Sequence, residues 1–520
     1  MFFAHHSDVR SFFPVLLVVA AASLGVYAHR ESVPAFHNIV NASGAAKESK
    51  TITRGREALK VLRTAPDHGL GTGSYNAAKL EAAINRLQTL QTDAAEQARQ
   101  LATVESEIDR ALLAFAHDVA IGRVSPSAIA PTWKSQRDIH DLAGSLQQAA
   151  NRSLEQWIAD LQPQHAEYVA LQRALRELRS QQQEQGEWPK VAGRPFKPGM
   201  TGPAVGTLRD RLAASGELPR TSSAADPAAY DAGLESAVKV FQEHHGLKAT
   251  GVADAPTLAA MNVPLRDRIR QVEMNLERWR WMPDDFGTRY FLVNIPAFLL
   301  MARENGTTVR AIRVIVGKNG HETPIFSGEM ATVVFSPYWN VPDSIAEDET
   351  APAIRQDPGY LTRNQIEVVR RTKSGAKIVD PNAINWYDPE ELSQLSFRQR
   401  PGAKNALGHV KFLFPNGFNV YLHDTPADGL FARSRRAFSH GCVRVEEPEA
   451  LASYVLRDRP EWTVEHISTA MNAGVEKYVQ LDNTIPVHIV YFTAWVDEGG
   501  GLHFLPDIYG YDARQSKLTR

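Results

Sequence analysis

The hydrophobic period of this chain changes near residue 285, and no single bundle or sheet accommodates both halves. Before that point apolar residues recur at helical spacing, in Leu80, Ala83, Leu87 and Leu90 and again in Ile108, Leu112, Phe115 and Val119. Residues three and four apart share one helix face, so each set is a stripe that must be buried. Gly122 and Pro126 end the second stripe. Beyond residue 285, Tyr290–Ile295, Phe298–Arg303, Ala311–Val316 and Met330–Trp339 read as strands, with Asn305-Gly306 and Asn319-Gly320 as turn dipeptides. His409–Phe414 and Phe418–His423 form another pair across Pro415-Asn416-Gly417. Ile485–Val496 and Leu502–Phe504 suit a closing hairpin around Gly499-Gly500-Gly501, and a helix is expected over Pro448–Leu456. At 520 residues the chain has room for about three domains. The fold class that follows is multidomain α+β.

The organisation can be read along the chain. In residues 1–28, Arg10 precedes an uncharged, mostly apolar run from Ser11 to Ala28. Two readings stand: a signal peptide cleaved after Val26-Tyr27-Ala28, or an uncleaved membrane anchor. Residues 29–56, polar and small, are expected to be a linker. Residues 57–190 are expected to be a helical domain. Pro195 to Pro203 opens a small three-helix module over 197–263, with Gly216 and Gly246 suited to helix ends. An Arg- and Trp-rich helical connector, Leu265–Trp281, leads into a mainly β domain over 285–510. A polar, Pro-containing insertion at 344–406 interrupts that domain; a lid and a flexible excursion are both open readings.

The chemistry-bearing residues lie in the β half. His423-Asp424 ends a strand, and a loop leads to Ser439-His440-Gly441-Cys442-Val443-Arg444, with a helix expected after Cys442. Cys442 is the only cysteine, so no intramolecular disulfide can form. In an exported chain an unpaired thiol is a liability unless it has a use. A thiol attacks carbonyls as thiolate, and a neighbouring imidazole can take its proton. The imidazole needs an orienting group, for which the Asp424 side chain and a backbone carbonyl are both candidates. The N–H groups of Gly441 and Cys442 could face a developing oxyanion. Arg444 can pair with a substrate carboxylate or fasten its own loop. Tyr421 precedes His423 on the same strand, and Trp339 could form an aromatic wall or pack in a core. His423, His440 and Cys442 together could hold zinc, although no CxxC or HExxH spacing is present. The net charge of −2, without a long basic run, argues against nucleic-acid binding.

At these residues the chain resembles the L,D-transpeptidases, whose YkuD-type catalytic domain carries a histidine, a gap, then Ser/Thr-His-Gly-Cys, a hydrophobic residue and Arg or Asn. Gly202, Val205, Leu208, Arg211, Leu212, Gly216, Tyr230, Val238, Phe241, Gln242, Gly246, Leu247, Gly251 and Thr257 resemble a peptidoglycan-binding type 1 module. Trp339-Asn340-Val341-Pro342 with Ser344-Ile345, the helix holding Asn275, Arg278 and Trp279, and the helical region 57–185 are similar to the YcbB-like subgroup and its scaffold domain. The resemblance implies a periplasmic or cell-envelope enzyme with peptidoglycan stem peptides as donor and acceptor. Cys442 would attack the carbonyl of diaminopimelate in a stem tetrapeptide and release D-Ala. An acceptor amine would then resolve the acyl-enzyme into a 3→3 cross-link. His423 would be the base; Ser439, His440, Gly441, Arg444, Asp424, Trp339 and Tyr421 would support the site or hold substrate. Carbapenems would acylate Cys442, and no metal or organic cofactor is implied. L,D-carboxypeptidation, attachment of a lipoprotein, and a non-catalytic wall-binding role remain alternatives.

Overall fold

The computed structural model describes residues 33–519, apart from 90–91, 135–136, 138, 140, 150–151, 220–225 and 373–374. The N-terminal apolar run expected to be a signal or anchor lies outside the described residues. Among the described residues, no helix is long and apolar enough to cross a membrane.

A helix over Val33–Leu62 corrects the linker expected at 29–56. Within 29–56 its buried positions Thr51 and Gly55 are too small to announce an apolar stripe, and Ala58, Leu59, Val61 and Leu62 continue the buried face beyond it. Gly55 admits the Ile84 side chain, whose Cδ1 would lie 2.5 Å from a Cβ at that position. Thr51 donates to the Glu105 carboxylate at 2.8 Å. The helix packs on Ala77–Gln88 and Ala94–Ala120, whose buried faces carry the two stripes read from the sequence, except Leu90, which lies outside the described residues.

The last helix of this region, Ala166–Gln185, belongs to a different core, shared with the connector helix Leu265–Trp279 and the β domain. The connector is a joint built on buried polar groups. Arg278 donates to the Gln515 side chain at 3.0 Å, the Tyr491 carbonyl at 3.1 Å and the Asp512 carboxylate at 2.6 Å. Asn275 donates to Thr493 Oγ1 at 2.9 Å, and Trp279 stacks on Phe492. One residue on, the buried Arg280 pairs with Glu277 at 2.7 Å and donates to the His68 carbonyl of the N-terminal region. Asp512 lies on a terminal helix, Tyr511–Leu518, so the β domain extends past the boundary expected at residue 510.

The module at 197–263 has helices Pro203–Ser215, Ala232–His244 and Ala255–Met261. They close on Leu208, Leu212, Leu234, Val238 and Phe241. Gly216 ends the first with φ of 91°, a left-handed cap that favours glycine.

The β domain contains strands β1 (Arg289–Asn294), β2 (Leu299–Glu304), β3 (Thr307–Gly317), β4 (Phe326–Phe335), β5 (Trp339–Asn340), β6 (Ile366–Thr372), β7 (Gly375–Val379), β8 (Leu395–Gln399), β9 (Val410–Leu413), β10 (Leu422–His423), β11 (Ala437–Ser439), β12 (Val443–Val445), β13 (Lys477–Val490), β14 (Ala494–Val496) and β15 (Leu502–Phe504). The main sheet runs β11-β3-β12-β10-β9-β4-β13-β1-β2, and pairing of β2 with β3 closes it into a barrel. Cys442 is followed by β12, and the helix expected over Pro448–Leu456 runs Pro448–Val455. The insertion is a folded unit with its own four-stranded sheet, β5-β8-β6-β7, around Ile354, Leu361, Val368 and Phe397. Its alternation is short and broken by Pro and Gly, which is why it read as polar and irregular.

Candidate active site

β10 and β12 pair in parallel, with Leu422 opposite Val443 and His423 opposite Arg444. Side chains alternate along a strand. Leu422 and Val443 both point into the barrel core, fully buried. The other face of the same two segments therefore carries Tyr421, His423, Cys442 and Arg444. Lys411 sits opposite His423 on the antiparallel β9, so His423 lies in a row between two cations. The strand pair read from the sequence already makes Lys411 a neighbour of the His423 strand, and the register sets the two residues directly opposite.

His423 Nδ1 is 2.5 Å from the Asp424 backbone carbonyl. An N–H at Nδ1 donates there and leaves Nε2 as the basic nitrogen. The Asp424 carboxylate is engaged elsewhere, accepting from the N–H groups of His409 at 2.7 Å and Thr425 at 2.6 Å. Of the two candidates for orienting His423, the geometry selects the carbonyl. Burial, with the Arg444 charge second and Lys411 weaker, holds the imidazole pKa down at about 3.

The Cys442 thiol points to the Asn419 carbonyl at 3.8 Å. Burial pushes its pKa up, opposed by hydrogen bonds from Tyr421 and by the Arg444 charge. Asn419 has φ of 54°. Asn416 shapes the turn that presents it, accepting from the N–H groups of Phe418 at 3.0 Å and Val420 at 3.2 Å. Burial thus favours the neutral form of both groups, thiol and imidazole. Arg444 is half-buried, and its Nε is buried without a hydrogen-bond partner among the described residues. A buried guanidinium donor left unpaired is costly, and a carboxylate is the group that satisfies it.

The loop before Cys442 is held by Gly441 and Ser439, which the sequence marked, and by Thr323, Gly317 and Tyr509, which it did not. Gly441 has φ of 118°. Its N–H donates to Ser439 Oγ at 3.2 Å, and Ser439 Oγ donates to the Cys442 carbonyl at 2.5 Å. The Gly441 N–H is therefore committed to the loop, whereas the Cys442 N–H has no partner among the described residues and is the better oxyanion donor. The Gly441 carbonyl accepts from Thr323 Oγ1 at 2.8 Å, which itself accepts from Gly317 N–H at 2.8 Å. Tyr509 completes the brace, its hydroxyl donating to the Gly317 carbonyl at 2.7 Å. No local pattern links Thr323 or Tyr509 to Cys442; only the barrel brings them together.

Two expected site residues point elsewhere. Trp339 pairs through β5 with β8 and packs into the core of the insertion rather than forming a wall for the thiol. His440 Nε2 lies 2.9 Å from Glu349 of the insertion and 3.1 Å from Lys318 Nζ. One tautomer donates to Glu349 and the other accepts from Lys318. His423, His440 and Cys442 are therefore not gathered as a ligand set; the metal-capable group among the described residues lies elsewhere. Glu349 nevertheless brings the insertion directly onto the cysteine loop.

Residues 288–476 match the L,D-transpeptidase catalytic domain of the YkuD family. The C-terminal region is similar to the L,D-transpeptidase catalytic domain over that range. Residues 26–175 match the scaffold domain and 201–261 a peptidoglycan-binding domain, so the helical region and the three-helix module also have family counterparts. A curated Haemophilus influenzae protein, provisionally named an L,D-transpeptidase, is 37% identical over 250 residues, covering 48% of this chain and 49% of that one. This chain thus spans about half the length of the curated relative it matches. Among solved structures, the L,D-transpeptidase fragment from Xylanimonas cellulosilytica is 16% identical, covering 57% of this chain and 98% of that chain, with a TM-score of 0.18. The L,D-transpeptidase from Stackebrandtia nassauensis is 14% identical, covering 58% and 96%, with a TM-score of 0.24. Superpositions at those scores add no weight. The L,D-transpeptidase domain assignment rests on the sequence match over 288–476 and on the residues described above.

Proposed function

We propose that this protein is a peptidoglycan L,D-transpeptidase of the cell envelope that forms 3→3 cross-links through an acyl-enzyme on Cys442. The observation that carries the reading is the common face of Tyr421, His423, Cys442 and Arg444, with Nδ1 of His423 held by a carbonyl. A donor stem binds with a carboxylate on Arg444. Neutralising that cation relieves one of the influences that hold His423 non-basic, so substrate binding itself prepares the base. As Sγ bonds to the donor carbonyl carbon, the thiol proton passes to His423 Nε2 and the oxyanion forms near the Cys442 N–H. Collapse breaks the C–N bond to D-Ala, whose amine takes the proton from His423. The acceptor amine then attacks the thioester, gives a proton to His423, and the Sγ leaving group recovers it as thiol.

The peptidoglycan-binding domain supports a wall polymer as substrate, because tethering raises the local concentration of stem peptides. The insertion, touching the loop through Glu349, acts as a lid that favours amine over water. The apolar N-terminus delivers the chain to the periplasm, as signal or inner-membrane anchor. The test is incubation with purified disaccharide tetrapeptide and mass analysis of products, alongside intact-mass analysis after carbapenem treatment. A 3→3 dimer and a single drug adduct, both lost in Cys442→Ala, are expected. Tripeptide alone would mark a carboxypeptidase, and neither product nor adduct on folded protein would mark a wall-binding protein.

A further inference from the structure

The seam between the peptidoglycan-binding domain and the β14–β15 hairpin gathers three metal-capable side chains. His244 ends the helix Ala232–His244, while Asp497 and His503 come from the hairpin. One ligand atom from each lies within 4.8 Å of the other two. His503 Nε2 and Asp497 Oδ2 are 2.7 Å apart, and the His244 and His503 ring centroids 4.7 Å apart. Gly501 leaves the space between them open. A Cβ there would lie 2.7 Å from His244 Nε2 and 2.8 Å from Asp497 Oδ2, so both atoms border one gap. Asp497 Oδ1 accepts the Gly501 N–H at 2.8 Å, which orients the carboxylate with Oδ2 toward the imidazoles. Behind His244, Glu217 Oε1 lies 3.9 Å from Nδ1, the nitrogen turned away from the gap. At that distance Glu217 is an ion-pair neighbour beyond hydrogen-bond reach, and a small side-chain shift would make it the outer partner of a metal-bound imidazole. A cavity of about 570 Å³, lined also by Arg211 and Glu217, opens onto His244 and Asp497.

We propose that His244 Nε2, Asp497 Oδ2 and His503 Nε2 bind a divalent transition-metal ion, zinc by preference, with a fourth position open to water or to a ligand from the cavity. Two imidazoles and one carboxylate are a zinc donor set. Magnesium and calcium, which want several oxygen ligands, are poorly served. None of these residues belongs to the acyl-transfer site. The ion's effect is to staple the peptidoglycan-binding domain to the catalytic domain, since the ligands come from both and binding favours the closed seam.

The test is calorimetric titration of the full chain with zinc chloride and separately magnesium chloride, in a Cys442→Ala background so that the thiol contributes nothing. One saturating equivalent of zinc, accompanied by a rise in Tm, is expected, with magnesium silent. His503→Ala and His244→Gln should each weaken zinc binding by about tenfold or more, and Glu217→Gln by about 10- to 100-fold. Because His503→Ala could loosen the hairpin, His244→Gln, on the other domain, tests the site independently. Absence of saturable zinc binding, equal affinity in both histidine variants, or magnesium binding as strong as zinc would overturn the proposal.

Discussion

At the residue scale the site is a set of opposed electrostatic influences. Burial favours the neutral forms of both Cys442 and His423, while Arg444 favours the thiolate and disfavours the imidazolium. Alkylation of Cys442 by iodoacetamide should therefore titrate above the ordinary cysteine range of about 8.5 in the substrate-free protein. A midpoint below 7 would indicate a preformed ion pair instead. Arg444→Gln should move that midpoint higher still, because the cation nearest the thiolate is gone, and should raise the KM for donor peptides. Cys442→Ala should abolish cross-linking without unfolding the domain. His423→Ala should lower the rate by about 10²–10⁴, the usual loss with a general base. Near-wild-type turnover in either variant would remove these residues from the mechanism.

At the element scale the cysteine loop is placed by contacts from distant strands. Gly317 ends β3 where a Cβ would lie 2.0 Å from the His321 carbonyl oxygen and 2.7 Å from Thr323 N, both backbone atoms that cannot move aside independently. Gly317→Ala should displace the Thr323 segment, release the Gly441 carbonyl and depress turnover more than Tm; an unaffected rate would show that the brace is dispensable. Thr323→Val keeps the shape but leaves the Gly441 carbonyl and the Gly317 N–H unpaired, at a cost of about 1–3 kcal/mol for a buried group. Denaturant unfolding measures it. The insertion is a second element with a function to test. Shortening it between 344 and 406 should raise hydrolysis relative to cross-linking, and an unchanged product ratio would argue against a lid.

At the scale of the whole molecule, the domains share cores and buried polar joints. Several imidazoles are buried within or between them. Burial holds His68 and His423 at about 3 and His488 at about 4. The unfolded chain protonates these groups near pH 6.5, whereas the folded one does not until far lower. Between those limits the unfolded state binds more protons, so stability rises with pH through the window and is lost as pH falls from about 6.5 toward 4. Tm should therefore drop between pH 7.5 and pH 5, with scaffold and catalytic transitions both affected. A flat Tm over that range would mean that these imidazoles are protonated in the native protein.

The sequence by itself determined the α-to-β order, the two helical stripes, the three-helix module and most strands, and it singled out Cys442 and His423 as candidates. These are local: a period, a turn dipeptide or a reactive side chain survives in one dimension. It misread 29–56 because the helix in that stretch is buried through Thr51 and Gly55, where close packing leaves no apolar signal. It left the insertion undecided because small sheets with short strands carry little alternation. What orients His423 was open in the sequence, since the carbonyl and the carboxylate belong to the same residue, Asp424. Only the tertiary structure decided between them, by committing the carboxylate to His409 and Thr425. The tertiary structure also decided that Thr323, Tyr509 and Glu349 surround the cysteine loop, and that Trp339 does not. Barrel closure and strand register bring such residues together across long stretches of chain, and no spacing along the sequence encodes that proximity.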